Sequence, residues 1–80
     1  MPNRELIIAE IPRLRRYARA LTGDSSRADD LVQDTLERAL ARFSLWRPGN
    51  LRAWLFTIMH NIFVNQIRSA IHIDYLADDL

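Results

Sequence analysis

Ala28-Asp29-Asp30-Leu31-Val32-Gln33-Asp34-Thr35-Leu36-Glu37-Arg38-Ala39-Leu40 is the stretch on which the fold turns. Ala28, Leu31, Val32, Thr35, Leu36, Ala39, Leu40 and then Phe43 recur at three- and four-residue steps, the spacing that lines one face of an α-helix. Asp30, Gln33, Asp34 and Glu37 repeat at the same spacing on the opposite side. The pattern predicts a helix over about residues 27–43, roughly 25 Å long. Ser26 followed by Asp29 reads as a capping box, with Asp in place of the preferred Glu.

Working outward, Ile7, Ile11, Leu14, Ala18 and Leu21 draw a second apolar stripe upstream. Pro12 lies inside it and cannot donate a backbone N–H, so a kink or a restart with Pro12 in the first turn is expected. Thr22-Gly23-Asp24 reads as the stop and the turn that follows. Downstream, Ser44-Leu45-Trp46-Arg47-Pro48-Gly49-Asn50 carries the Pro-Gly-Asn punctuation of a loop. A third helix is predicted from about Leu51 to Arg68 or slightly beyond. Leu51, Trp54, Leu55, Ile58 and Ile62 form its inward stripe, widened by Phe56, Met59, Phe63 and Ile67. Residues 69–80 mix Ile, Tyr and Leu with three Asp and fit a helical extension, a short further helix or a tail. No strand-like alternation occurs, so the fold class is all-α, a small bundle of three to four helices.

Eighty residues make one small domain, which buries about 60% of its unfolded surface and is modestly stable. No apolar run approaches the roughly 20 residues that span a bilayer, so no membrane insertion is expected. Leu6-Ile7-Ile8-Ala9 is too short for a signal-peptide core. The absence of cysteine removes disulfides and thiolate metal sites, and a cytoplasmic location is the default expectation. His60 and His72 lie twelve apart without a ligand-like cluster, so neither metal nor cofactor is expected. There is no phosphate-cradling Gly loop and no nucleophile elbow. The chain is not expected to be an enzyme.

The net charge of +1 hides a segmented pattern. Residues 1–23 carry five Arg against Glu5 and Glu10, a net +3, whereas residues 24–43 carry five acids against three Arg. Residues 44–73 hold Arg47, Arg52 and Arg68 with no acid, and residues 74–80 hold three Asp and no base. Alternation of this kind suggests two partners of opposite charge. Every basic residue is Arg, which grips phosphate bidentately and stacks on bases, although a GC-rich genome alone gives the same bias.

Three features carry binding chemistry, each with a plainer alternative. The acidic face at Asp30, Gln33, Asp34 and Glu37 either seats an Arg-rich partner helix or is a solvated outer face. Asp29 and Asp30 also complement the helix dipole. Trp46 beside Arg47 is either a platform for an unstacked base or a lid folded onto the core. Thr57, Asn61, Asn65 and Arg68 repeat at four, four and three residues along an otherwise apolar helix. An Asn there can read a base edge or the Watson–Crick face of a flipped base, or it can simply face solvent.

Taken together, these residues resemble region 2 of bacterial sigma factors of the extracytoplasmic-function (ECF) group. The resemblance runs from about Leu14 to Arg68 through Arg16-Tyr17-Ala18-Arg19-Ala20-Leu21-Thr22-Gly23-Asp24, Ala28-Asp29-Asp30-Leu31-Val32-Gln33-Asp34-Thr35, and Ala53-Trp54-Leu55-Phe56 with Asn61. It implies that the second helix docks on the clamp helices of the RNA polymerase β′ subunit. Asp30, Gln33 and Asp34, with Glu37 and Arg38 beside them, are then the polymerase-binding residues. It implies further that the loop over Ser44 to Asn50 pockets a flipped base of the melted minus-ten element. The third helix would contact the exposed single strand of promoter DNA. On this reading the DNA-binding set is Trp46, Arg47, Asn50, Arg52, Asn61, Asn65 and Arg68, and pocket and stacking contacts offset the few kcal/mol of unpairing.

The family also takes anti-sigma factors as partners. The alternative function is therefore a sigma-like module that binds an anti-sigma factor without touching DNA; the acidic tail from Asp74 favours it, and the acid-free stretch of residues 44–73 opposes it. Asn65 stands where many relatives have Asp, and the loop has its own sequence, so base preference does not carry over. Residues 1–70 are assigned to the region 2 domain and 71–80 to a tail or the start of a linker. Region 4, the helix-turn-helix domain for the minus-thirty-five element, is missing, and a fragment of a longer protein is the expectation.

Overall fold

In the computed structural model, residues 2–43 and 49–78 are described, with side chains over 4–43 and 49–71. Three helices follow in order: α1 (Pro2–Thr22), α2 (Ser25–Ala41) and α3 (Leu51–Asp78). No strand occurs among the described residues. The helix α2 is central, packing extensively on both α1 and α3, whereas α1 and α3 touch over a smaller area. The long axis of 52 Å is set by α3, whose 28 residues alone span about 42 Å.

The core is where the three apolar stripes meet. Leu14 and Ala18 of α1, Ala28, Leu31, Val32 and Ala39 of α2, and Leu55, Met59 and Ile62 of α3 are all buried in one cluster. Thr35 is buried with them, and its hydroxyl donates to the Leu31 carbonyl at 2.7 Å. That bond satisfies the only polar atom its side chain brings inside. Leu40 departs from the expected stripe and is 50% exposed. At 3.6 residues per turn it lies roughly a third of a turn from the centre of the buried face.

Two local expectations need correction and one left open is decided. Pro12 neither starts nor ends a helix; α1 runs through it. The ring is exposed, and so is Ile8, whose carbonyl loses its donor at Pro12. Water can satisfy that carbonyl. The cap of α2 is Asp24, not Ser26: Asp24 has extended φ/ψ and its side chain accepts the Ser26 N–H at 3.3 Å. The turn ahead of it uses Gly23 at φ 69°, with the Gly23 N–H donating to the Arg19 carbonyl at 2.9 Å. Finally, α3 continues well past Arg68, to Asp78, so the undecided C-terminal residues are a helical extension as far as the described chain goes.

Candidate functional site

The carboxylate face of α2 forms as its spacing requires. Asp30, Gln33, Asp34, Glu37 and Arg38 are all exposed, opposite the buried stripe. Gln33 donates its amide to Glu37 at 3.3 Å and so steadies one carboxylate. Asp30 and Asp34 make no ion pair or hydrogen bond among the described residues. Two bare carboxylates a turn apart, held on a rigid helix, suit guanidinium groups from outside.

The polar line on α3 is also outward. Thr57, Asn61, Asn65 and Arg68 are exposed. The Thr57 hydroxyl is occupied, donating to the Ala53 carbonyl at 2.8 Å. Asn61 and Asn65 are left with their amides unused among the described residues. The two faces meet. Asp34 and Arg38 of α2 line one hollow with Ile62, Asn65, Gln66 and Ser69 of α3.

At the start of α3 the side chains expected to touch DNA have structural work as well. The Asn50 side-chain oxygen accepts the Ala53 N–H at 3.1 Å, and its carbonyl accepts from Trp54 at 3.1 Å. Asn50 is thus the N-cap of α3. Replacing it with Ala is expected to cost about 1 kcal/mol, with Asn50→Asp restoring most of it because Asp caps equally well. Thermal melts of both variants check this; an Asp variant as unstable as the Ala one would remove the cap from the account.

Arg52 is held by Glu10 of α1, its Nε 2.9 Å from one carboxylate oxygen and an Nη 3.4 Å from the other. The Arg52 side chain is 47% exposed and that of Glu10 14%, so solvent screens the pair to about 0.2–1 kcal/mol. Its effect is mainly positional. It ties the first turn of α3 to α1 and leaves the remaining guanidinium N–H groups of Arg52 open to solvent. Sequence reasoning missed Glu10 because nothing local marks a partner 42 positions away. Asp24, by contrast, could have been found: an Asp after a Gly stop is a strong cap signal.

Trp54 is half-buried and meets Phe43 edge-on at 6.0 Å, in keeping with a core anchor. Trp46 and Arg47 fall in residues 44–48, outside the described residues. No group of three or more His, Cys, Asp or Glu that could hold a metal occurs among the described residues. No helix there is long and apolar enough to cross a membrane.

Comparison with known proteins adds four findings. Residues 7–60 match the family model for the sigma2 domain of PhyR. The ECF RNA polymerase sigma factor EcfG of Rhodopseudomonas palustris is 53% identical over 66 residues, covering 81% of this chain and 36% of that protein. The phyllosphere-induced regulator PhyR of Methylorubrum extorquens is 37% identical over 81 residues, covering 100% of this chain and 30% of PhyR. Among solved structures, the sigma factor RpoE of Bartonella quintana, crystallised with the anti-sigma factor NepR, superposes with a TM-score of 0.89 at 35% identity. That match covers 99% of this chain and 50% of RpoE. The chain thus spans about a third of the length of the curated relatives it matches.

Proposed function

Since the chain belongs to the sigma region 2 family of ECF sigma factors, we propose that it binds core RNA polymerase through α2 and captures unpaired minus-ten DNA along α3. The polymerase surface is Asp30, Gln33, Asp34, Glu37 and Arg38. The strand surface is Asn61, Asn65 and Arg68, with Trp46, Arg47 and Asn50 of the loop completing a slot for an everted base. Arg52 offers the strand its free guanidinium N–H groups while its pair with Glu10 ties the start of α3 to α1. The observation that carries the reading is the hollow where Asp34 and Arg38 share a wall with Asn65. An enzyme docked on α2 would lie edge to edge with a strand held on α3, so both partners can be engaged at once.

The role of Asn61 has a direct test. Asn61→Ala is expected to weaken a preferred single-stranded oligonucleotide by roughly tenfold, the lower half of the 1–3 kcal/mol that one bidentate base contact discriminates. A scrambled oligonucleotide should lose far less. Fluorescence anisotropy with core polymerase present reads both. Equal losses would demote Asn61 to support of the helix.

A second reading is favoured by a separate observation. The matching family model comes from a protein named as a regulator, and RpoE was crystallised with an anti-sigma factor. On that reading the same exposed faces bind an anti-sigma factor and DNA is never engaged. Sequence-dependent capture of unpaired DNA separates the two, because an interaction module alone has no need of base discrimination.

A further inference from the structure

The densest bare positive charge on the described residues lies on neither of the surfaces assigned above. Residues 11–23 contain Arg13, Arg15, Arg16 and Arg19 and no acid. All four are exposed, and none makes an ion pair or hydrogen bond among the described residues. Arg15 turns toward α2, where it lines a hollow with Asp29, Gln33 and Glu37. Arg13, Arg16 and Arg19 remain as one ridge at three-residue steps on the side of α1 facing away from Leu14 and Ala18. Neighbouring positions on such a ridge are about 5–6 Å apart.

The nearest acids in the chain do not neutralise this ridge. Glu10 is committed to Arg52, and Asp24 caps α2. Compensation of the helix dipole accounts for Arg19, in the last turn of α1, but not for Arg13 or Arg16. Between its arginines the ridge exposes Pro12, Ala20 and the edge of Tyr17, and the larger exposed apolar side chains of α1, Leu6 and Ile8, lie toward its start. A protein partner would want a dry core with a polar rim, whereas nucleic-acid interfaces are polar and strongly positive throughout.

Its place in the fold matters too. Glu10 pairs with Arg52, and Tyr17 stacks on Phe56 at 5.1 Å and 22°. The middle of α1 therefore runs beside the first half of α3, the half that precedes the polar line at Asn61, Asn65 and Arg68. We infer that Arg13, Arg16 and Arg19 form a second nucleic-acid contact, gripping the phosphates of duplex DNA that flanks the captured strand, without regard to base sequence. This rests on the DNA-capturing reading proposed above and extends it to a part of the chain with no assigned role.

The test measures binding of the 80-residue chain to a scrambled 20-base-pair duplex between 50 and 200 mM salt. Each phosphate contact contributes about −0.9 to the log–log slope. The triple change R13A/R16A/R19A should therefore flatten the slope by about 2–3 and weaken binding at 50 mM salt by at least tenfold. The triple Lys variant keeps the charge and should keep the slope. Helicity by circular dichroism confirms that both variants fold, as three exposed substitutions should allow. An unchanged slope in the Ala variant overturns the inference. So does a variant that keeps duplex binding but loses core polymerase, because the ridge would then serve protein carboxylates. Oligonucleotide discrimination by Asn61 is read separately, so failure of the ridge alone is distinct from failure of the DNA reading.

Discussion

Leu31→Ala is expected to destabilise the domain by about 2–5 kcal/mol, the range for deleting a fully buried leucine and leaving a cavity. Leu31 is 1% exposed on the helix that packs against both others, so neither neighbour can collapse into the gap without losing the other's contacts. An 80-residue domain has only about 4–12 kcal/mol in hand, and each kcal/mol moves its melting temperature by about 4–8 °C. A drop of 10 °C or more should appear in a thermal melt followed by circular dichroism. Leu40→Ala is the matched control. It removes the same atoms from the same helix at a site 50% exposed, and should cost under about 1 kcal/mol. Equal losses at the two sites would show that α2 is turned differently from the packing described.

Reversing charge at Asp34 carries the largest functional effect. Asp34→Arg should weaken binding to core RNA polymerase by about 100-fold or more. One charge-assisted pair worth about 1.5–3 kcal/mol disappears, and a like charge then faces the basic partner. Because Asp34 is exposed and makes no internal contact, the melting temperature should stay within the scatter of surface substitutions, about 0.5 kcal/mol. Affinity for core polymerase and a melt of the same sample measure the two quantities side by side. Wild-type affinity in the reversed variant would falsify the assignment of α2 as the docking face. Asp34 also borders Asn65, so the same variant can alter strand capture. Binding of oligonucleotides without polymerase keeps that effect apart.

Much of the architecture was legible before any coordinate. The α2 stripe needed only helical periodicity, because its apolar residues and carboxylates separate onto opposite faces. The stripe of α1 held as well, with Ile7, Leu14 and Ala18 buried and Ile11 and Leu21 half-buried. Failures came where one residue had two uses. Leu40 fits the spacing but lies at the edge of the stripe, and spacing alone cannot tell an edge from a centre. A restart at Pro12 was open because its missing N–H was weighed without knowing that Ile8 opposite it is wet.

Among the proposed binding residues, exposure of Asp30, Asp34, Asn61, Asn65 and Arg68 followed from their place opposite apolar residues. What Asn50 and Arg52 do did not. The cap at Asn50 is local, yet an Asn after Pro-Gly reads equally as turn chemistry. The ion pair of Arg52 joins residues from the first and third helices. Only packing decides that these helices cross with Glu10 and Arg52 opposed.

By itself, the sequence determined that three amphipathic helices form, which face of each is apolar, and that carboxylates and asparagines stand outward on two of them. Those properties are periodic, and a helix repeats every few residues whatever it packs against. The tertiary structure alone decided that the carboxylate face and the asparagine line share one hollow. It also decided that Glu10 pairs with Arg52 and that the arginine ridge of α1 is left bare. Such facts depend on how helices distant in sequence are set against each other, and burial of side chains at their crossings fixes that, not any signal within a single turn.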